Sequence, residues 1–581
     1  MHTKVKLTRN RVTIALYLAW AIAWSLPSYA EIVFTGLDET QETNARVLVP
    51  LASATCDTNR WRVERLFRDA DNDLREALQA LGFYRIEIEK KLTWTEDCWL
   101  AEFTVTPGEP VRYRIVDVRI DGAGLVDANL PQTVIRNQPV TGAILNHGDY
   151  EHFKSATLQH LSNHGYFDAT FIRKEVIVEP ETLSADLFLY LESGPRYRFG
   201  DVSFTDGILS SELLRAYTDI EQGEPYDATQ ISELYESLNG SGYFKSVSIR
   251  TDPLDESAKT APVMVSLKPG ARRNYSVGAG FSTDTGPQGR LGYINRRRND
   301  RGHQIEARLF ASGTDSEVTA TYRWPIRNPR TDWASMVGGA QHRDTDTSES
   351  DTFKLGHLRT KSLSKDWLFT RSVEYSFEDF TIGDQDESSQ LVIFGIGFES
   401  AIGREISRST NGRRINLAIR GASDYLASDT SFLQFRASAK QLWSLNDTTR
   451  IMVRGRVGTT LKDKLSELPV SIRFFAGGDR SVRGYAFETL GPVDSNGAVT
   501  GGSHLLEASV EFDRMIASNW SVAAFADTGS AFEDDKPEFS TGIGLGIRWY
   551  SPVGPIRVDF AHPLDDPDRS FRLHVTLGPD L

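Results

Sequence analysis

Past Pro269-Gly270 the hydrophobic period of this chain becomes two, and that pattern runs through residues 269–581. In Phe571-Arg572-Leu573-His574-Val575-Thr576-Leu577 one face carries Phe, Leu, Val and Leu, and the other carries Arg, His and Thr. Ile543, Leu545, Ile547 and Trp549 alternate with Gly542, Gly544, Gly546 and Arg548. Ile556, Val558 and Phe560 alternate with Arg557 and Asp559, and Val318, Ala320, Tyr322 and Trp324 with Thr319, Thr321 and Arg323. Successive side chains of a strand point to opposite faces, so each run is a strand with one apolar and one polar face. A large soluble β domain would alternate too, with its apolar face turned inward. The length of the pattern in an exported chain favours a closed membrane barrel, with the apolar face to lipid and the polar face to a wet lumen. Strands of ~10 residues with their connections fit about sixteen strands into this length.

The export signal is at the other end. Lys4, Lys6, Arg9 and Arg11 precede an apolar stretch from Val12 to Leu26, and Ser28-Tyr29-Ala30 supplies small residues for cleavage. That is the layout of a signal peptide over 1–30, with the mature chain starting at Glu31. No later stretch approaches the ~18 apolar residues of a transmembrane helix. The chain holds 65 Lys and Arg against 79 Asp and Glu, and four of the basic residues fall in the signal. So acidic a mature chain argues against nucleic acid as a partner. Its two cysteines, Cys56 and Cys98, show no CxxC redox or zinc pattern. In an oxidising periplasm a disulfide is favoured over two free thiols, worth about 4 kcal/mol in the chain-entropy model.

Residues 31–268 follow another grammar. A helical stretch ends in Gly-aromatic-aromatic and runs into a strand three times, at Gly82-Phe83-Tyr84, Gly165-Tyr166-Phe167 and Gly242-Tyr243-Phe244. Glycine supplies the left-handed turn that ends a helix, and the aromatics offer area for docking that helix on a sheet. Upstream of the first copy, Val63, Leu66, Phe67, Ala70, Leu74, Ala77, Leu78 and Leu81 recur at helical spacing. Strands are expected after the turns at Gly108 and Gly194. The expected order in the third copy is strand–helix–helix–strand–strand. This gives three α+β units over 31–109, 110–194 and 195–268, then the barrel over 269–581.

Near the C-terminus, Arg473-Phe-Phe-Ala-Gly477-Gly478-Asp479-Arg480-Ser481-Val482-Arg483-Gly484-Tyr485 resembles the lumen-loop motif of the Omp85 superfamily. Ala508–Phe512, Phe525-Ala-Asp527-Thr-Gly529 and Ser551-Pro-Val-Gly-Pro-Ile-Arg557 follow in the family's order, and the three units resemble its periplasmic POTRA domains. Three units, the length and the ending Gly578-Pro579-Asp580-Leu581 are most similar to the TamA branch. BamA-type members carry five such units, and two-partner secretion members carry two behind a plug helix that is not evident here. The terminal Leu581 departs from the aromatic that ends many outer-membrane proteins.

The resemblance implies an outer-membrane location in a Gram-negative bacterium, with the units in the periplasm. It implies insertion or secretion of β-barrel and autotransporter-type clients, with no cofactor and no metal. It also implies a TamB-like inner-membrane-anchored partner on the POTRA arm, and contact with outer-membrane lipid. Lipid transport between the membranes, or polypeptide export of the two-partner type, remain alternative tasks. The lumen loop, with Gly477, Gly478, Val482, Arg483, Gly484 and Tyr485, is expected to be pinned to the wall. Arg483 would meet Asp527 and Glu511, since Glu511 shares the inward parity of Glu507 and Ser509. Arg548 and Arg557 read as lumen arginines solvated by water.

A barrel that inserts others must have a joint that parts. The expected joint runs Arg273–Thr283 against 570–578, through Val277, Gly278 and Gly280 on one side and Leu573, Val575 and Gly578 on the other. Little packs at the glycines, and Pro579 lacks an amide donor. A client strand would add at this edge by backbone hydrogen bonds. An enzyme is not expected. Ser503 and His504 are sequence neighbours on opposite strand faces, and no nucleophile elbow or zinc spacing occurs.

Overall fold

A computed structural model describes residues 30–577 apart from 97, 128–133, 135, 137, 206, 404–410, 463, 534–535, 552–553 and 567–570. The expected signal peptide and Gly578 lie outside the described residues.

The first unit runs β1 (Glu31–Thr35), α1 (Glu39–Leu48), α2 (Arg60–Gln79), β2 (Glu87–Trp94) and β3 (Trp99–Thr106). β1 lies parallel to the central β3 and β2 antiparallel to it. Asp38 caps α1 reciprocally with Gln41, satisfying two backbone donors that the first turn leaves open. Val63, Ala70, Leu74, Ala77 and Leu78, the helical stripe of the sequence, are buried on α2. All but Ala77 lie in the core cluster that includes Phe34, Trp99 and Phe103. Cys56 and Cys98 form a disulfide at the edge of this core.

The second unit comprises β4 (Arg112–Asp121), α3 (His147–Asn163), β5 (Thr170–Glu179) and β6 (Ser184–Glu192), with strand order β4-β6-β5. The third has β7 (Arg198–Thr205), α4 (Ser211–Arg215), α5 (Ala228–Gly240), β8 (Phe244–Arg250) and β9 (Thr260–Pro269), with order β7-β9-β8. Each unit therefore repeats one pattern, a three-stranded sheet whose last strand in sequence sits in the middle.

The glycines of the three corners have φ of +93°, +88° and +76°. The aromatics, however, do more than seat a helix on its own sheet. Each corner also meets the element that comes next. The Gly82 carbonyl accepts from Val111 N at 2.9 Å, and Tyr84 packs on the core of the second unit with its hydroxyl 2.7 Å from His147 Nε2. The Gly165 carbonyl accepts from Tyr197 N at 2.8 Å, and Phe167 meets Tyr197 and Tyr226 edge-on. The Gly242 carbonyl accepts from Arg296 Nη1 at 3.5 Å, and Tyr243 donates its hydroxyl proton to the Gly302 carbonyl.

Among the described residues sixteen strands, β10 (Arg273–Ser282) to β25 (Arg572–Leu577), close into an antiparallel barrel in sequence order. The twofold alternation explains its two faces. Ile543, Leu545, Ile547 and Trp549 project outward, Leu545 being 67% exposed, while Arg548 between them is 1% exposed. Apolar groups outside and charged groups inside are the reverse of a soluble core and the arrangement lipid requires. No described helix is long and apolar enough to cross a membrane. Strand length varies round the wall, from eighteen residues in β17 (Gln385–Ile402) to six in β25.

Candidate functional site: the pinned lumen loop and the barrel seam

Between β20 (Thr449–Lys462) and β21 (His504–Ala517) the chain turns inward and lines the lumen. Apolar anchors set it against the wall. Leu468 and Ile472 pack with Leu391, Ile393 and Phe432, and Val470 packs with Phe380 and Ile382. Phe474 and Ala476 pack with Leu505 and Ala531. Burying a side chain of this size stabilises by about 2 kcal/mol. Arg473 holds the loop in shape, donating to the carbonyls of Leu468 (2.9 Å) and Thr500 (3.1 Å) and to Gln385 Oε1 (2.8 Å).

Arg483 reaches furthest. Its Nε and Nη2 donate to the two oxygens of Asp527 on β22 (Trp520–Phe532), at 2.6 and 3.0 Å. Its Nη1 donates to Glu511 on β21 at 2.8 Å and to Asp559 on β24 (Gly554–Pro563) at 3.0 Å. The guanidinium also lies over the Phe525 ring, 3.4 Å from its centroid. Asp559 was not among the sequence candidates. It looked like any polar member of an alternating strand, and only the inward fold of the loop sets it opposite Arg483.

Arg548 corrects the sequence reading. Instead of being solvated, it is 1% exposed and donates to Glu511 (3.0 Å) and Asp559. Arg454 completes the group, 3.9 Å from Asp527 and donating to the Ser481 carbonyl at 2.8 Å. Three carboxylates and three guanidiniums thus compensate one another where isolated charges would be costly to bury.

Close approach depends on glycines in the wall. A Cβ at Gly542, on β23 (Ser540–Ser551), would stand 1.8 Å from the Arg483 carbonyl oxygen. Gly542 thus leaves room for the loop, while Gly544 makes room for the Phe525 ring and Gly546 for the Asp559 carboxylate and the Arg548 guanidinium. Gly477, Gly478 and Gly484 of the loop have φ of +101°, +103° and +102°, a region costly for any other residue. Val482 is wholly buried, and Tyr485 Oη lies 3.5 Å from the Thr541 carbonyl oxygen.

The barrel closes where β10 meets β25. Among the described residues this seam has one register pair, Ser282↔Thr576, together with a bond from Thr283 N to the Val575 carbonyl at 3.1 Å and one from Val575 N to Thr283 Oγ1 at 3.2 Å. On their other sides β10 pairs with β11 (Gly286–Asn295) at ten positions and β25 with β24 at six. Among the expected seam residues, Val575 takes part. Gly280 lies near the Leu577 carbonyl, and Leu573 pairs with Phe560 of β24. Val277, 83% exposed, and Gly278 pair with Leu291 and Arg290 of β11, and no described residue of β25 pairs with them. The expected two-sided joint over Arg273–Thr283 is therefore confined, among the described residues, to its final positions.

Ser503 donates to Glu533 and His504 Nδ1 lies 2.9 Å from Thr459 Oγ1, so these sequence neighbours point to separate partners.

A closed sixteen-strand barrel with a loop pinned in its lumen, preceded by three repeated α+β units, defines an outer-membrane β-barrel protein with a periplasmic arm. The Omp85 superfamily domain matches residues 273–580, more than half of the chain, and the chain belongs to that superfamily. The POTRA domain described as TamA domain 1 matches residues 31–107, and the surface antigen variable number repeat matches 197–270. The chain is 22% identical over 466 residues to the outer membrane protein assembly factor BamA of Neisseria meningitidis serogroup B, covering 68% of this chain and 58% of the relative. It is 22% identical over 370 residues to the BamA of Nitratidesulfovibrio vulgaris, covering 60% and 46%. The chain spans about half the length of these curated relatives. Among solved structures, BamA from Haemophilus ducreyi lacking POTRA domains 1–3 superposes with a TM-score of 0.67 at 16% identity. That match covers 80% of this chain and 99% of the other, a likeness of fold.

Proposed function

We propose that this chain assists the insertion or secretion of outer-membrane β-proteins by offering the β10 edge at the seam to an incoming strand. The observation that carries the reading is the contrast between the two sides of β10. It is paired at ten positions with β11 and at one, among the described residues, with β25. An exposed strand edge is a template for backbone pairing, and a barrel ordinarily abolishes it. A seam held at few positions gives up the least when it parts, and a client strand restores the lost bonds by β-augmentation. The names of the curated relatives, outer membrane protein assembly factors, agree with this task.

In this reading the lumen loop, pinned through Arg483 to Asp527, Glu511 and Asp559, keeps the β21–β24 wall rigid while the seam moves. The arm offers sheet edges to periplasmic partners, among them a TamB-like inner-membrane-anchored protein and unfolded clients. The test is a disulfide across the seam, Ser282→Cys with Thr576→Cys, in cells that depend on this chain. Oxidised cells should lose folded client barrels from the outer membrane, and a reductant should restore them. Undiminished client assembly with the seam fully cross-linked would overturn the proposal.

A further inference from the structure

The lumen loop has a second attachment, and it falls at the seam. Asp479 accepts hydrogen bonds from Ser282 Oγ at 2.6 Å and Thr283 Oγ1 at 3.0 Å, at the end of β10. It also bonds His574 Nδ1 on β25. The other nitrogen of that ring, Nε2, accepts the Gly484 N–H at 2.9 Å. A ring nitrogen that accepts carries no proton, so the His574 proton sits on Nδ1 and is donated to Asp479. The side chains of His574 and Asp479 are 1% and 3% exposed. Two loop residues thus grip both nitrogens of one last-strand histidine, and one carboxylate joins that histidine to two first-strand hydroxyls.

Asp284, Asp479 and His574 have ligand-type atoms within 4.8 Å of one another, a spacing compatible with a cation. The hydrogen bonds argue otherwise. A neutral ring that accepts the Gly484 N–H at Nε2 has its proton on Nδ1 and offers no lone pair there. The cluster is built for proton sharing between strands.

We propose that Asp479 is the bolt of the seam, a positioning carboxylate that joins the first strand to the last through the lumen loop. This rests on the reading of β10 and β25 as the edges that part. Bonds to an ionised acceptor are roughly twice as strong as neutral ones, so three of them weigh heavily beside the few backbone bonds of the described seam. The two attachments of the loop are also separate in space: Arg483 fastens it to β21, β22 and β24, and Asp479 fastens it to β10 and β25. On the β10 side Asp479 is held by the hydroxyls of Ser282 and Thr283 and by its own N–H, which donates to Asp284 Oδ2 at 2.5 Å, and on the β25 side the loop is held through both nitrogens of His574.

The test uses the full chain in lipid nanodiscs, with spin labels on Phe281→Cys and Leu577→Cys, one step along each strand from the register pair. The two native cysteines are in a disulfide and take no label. Asp479→Asn should raise the long-distance population roughly tenfold, which is what losing about one hydrogen bond to a charged group is worth. Ser282→Ala, which removes one of the three bonds to Asp479 and changes no loop residue, should shift the population the same way by less. Asp479→Asn with Ser282→Ala should exceed Asp479→Asn alone by little, since both act on the bond between these two side chains. Asn496→Ala, elsewhere in the loop, serves as the control, and heat-modifiable gel mobility reports that each barrel is folded. Unchanged label distances in Asp479→Asn, or effects that add in the combined variant, would overturn the bolt. Client assembly is scored separately. A loosened seam in Asp479→Asn, together with client assembly that persists when the seam is cross-linked, would leave the bolt standing and count against strand addition.

Discussion

Arg483 and Asp527 meet as fork and carboxylate, Nε at 2.6 Å and Nη2 at 3.0 Å from the two oxygens, with the Asp527 side chain fully buried. A planar guanidinium matches both oxygens at once, and an ammonium cannot.

Arg483→Ala should therefore do more than remove a contact. It leaves Asp527, Glu511 and Asp559 buried with less compensation, a change that typically costs about 3–5 kcal/mol. Protease cleavage within residues 464–503 and loss of heat-modifiable mobility should report the released loop. Arg483→Lys should fall between wild type and alanine. A lysine variant as resistant as wild type would mean that charge alone holds the loop.

Gly542→Ala offers a test that removes no polar group. Its Cβ would stand 1.8 Å from the Arg483 carbonyl oxygen, so the loop must lift from the wall. The variant should show the same proteolytic signature as Arg483→Ala. Gly289→Ala, with no atom within 4 Å of its new methyl, should behave as wild type.

The grip of the third unit on the barrel should depend on Tyr243 and Gly302. Tyr243→Phe removes the donor to the Gly302 carbonyl and should cost about 1 kcal/mol. Gly302→Ala should cost more, because its φ is +74° and its methyl would press to 2.7 Å on Tyr243 and Leu213. Hydrogen exchange at residues 296–303 should rise modestly in the first variant and strongly in the second.

Cys56→Ser with Cys98→Ser should loosen the first unit alone. The bond closes a separation of 42 residues, for which chain entropy gives about 4 kcal/mol. Amide exchange over 31–107 should accelerate while the barrel strands keep their protection.

Most of the architecture was legible from two periodicities. Period-two alternation marked the barrel, because lipid on one side and water on the other demand opposite chemistry at neighbouring residues. The three Gly-aromatic corners marked the units, because a left-handed turn needs glycine. Arg483, Asp527 and Glu511 could be brought together on parity and family resemblance. Asp559 and Arg548 could not, since parity says which face a residue is on and nothing about what lies across the lumen. Gly542 was hidden for a related reason, as a missing side chain has meaning only once the loop occupying its space is known. Asp479 stood inside the quoted motif without a role, because its partners come from the two ends of the barrel. Pairing between those ends has no local signature, and hairpin turns fix register only for strands adjacent in sequence.

The corners at Gly82, Gly165 and Gly242 present the same carbonyl and an aromatic ring to whatever follows, be it another unit or the barrel rim. At Gly82 and Gly165 the carbonyl accepts a backbone N–H of the next unit, whereas at Gly242 it accepts an arginine side chain. A truncation that removes whole units from the start of the arm therefore leaves each remaining corner with its own partner, whereas a cut within a unit leaves a ring and a carbonyl stranded.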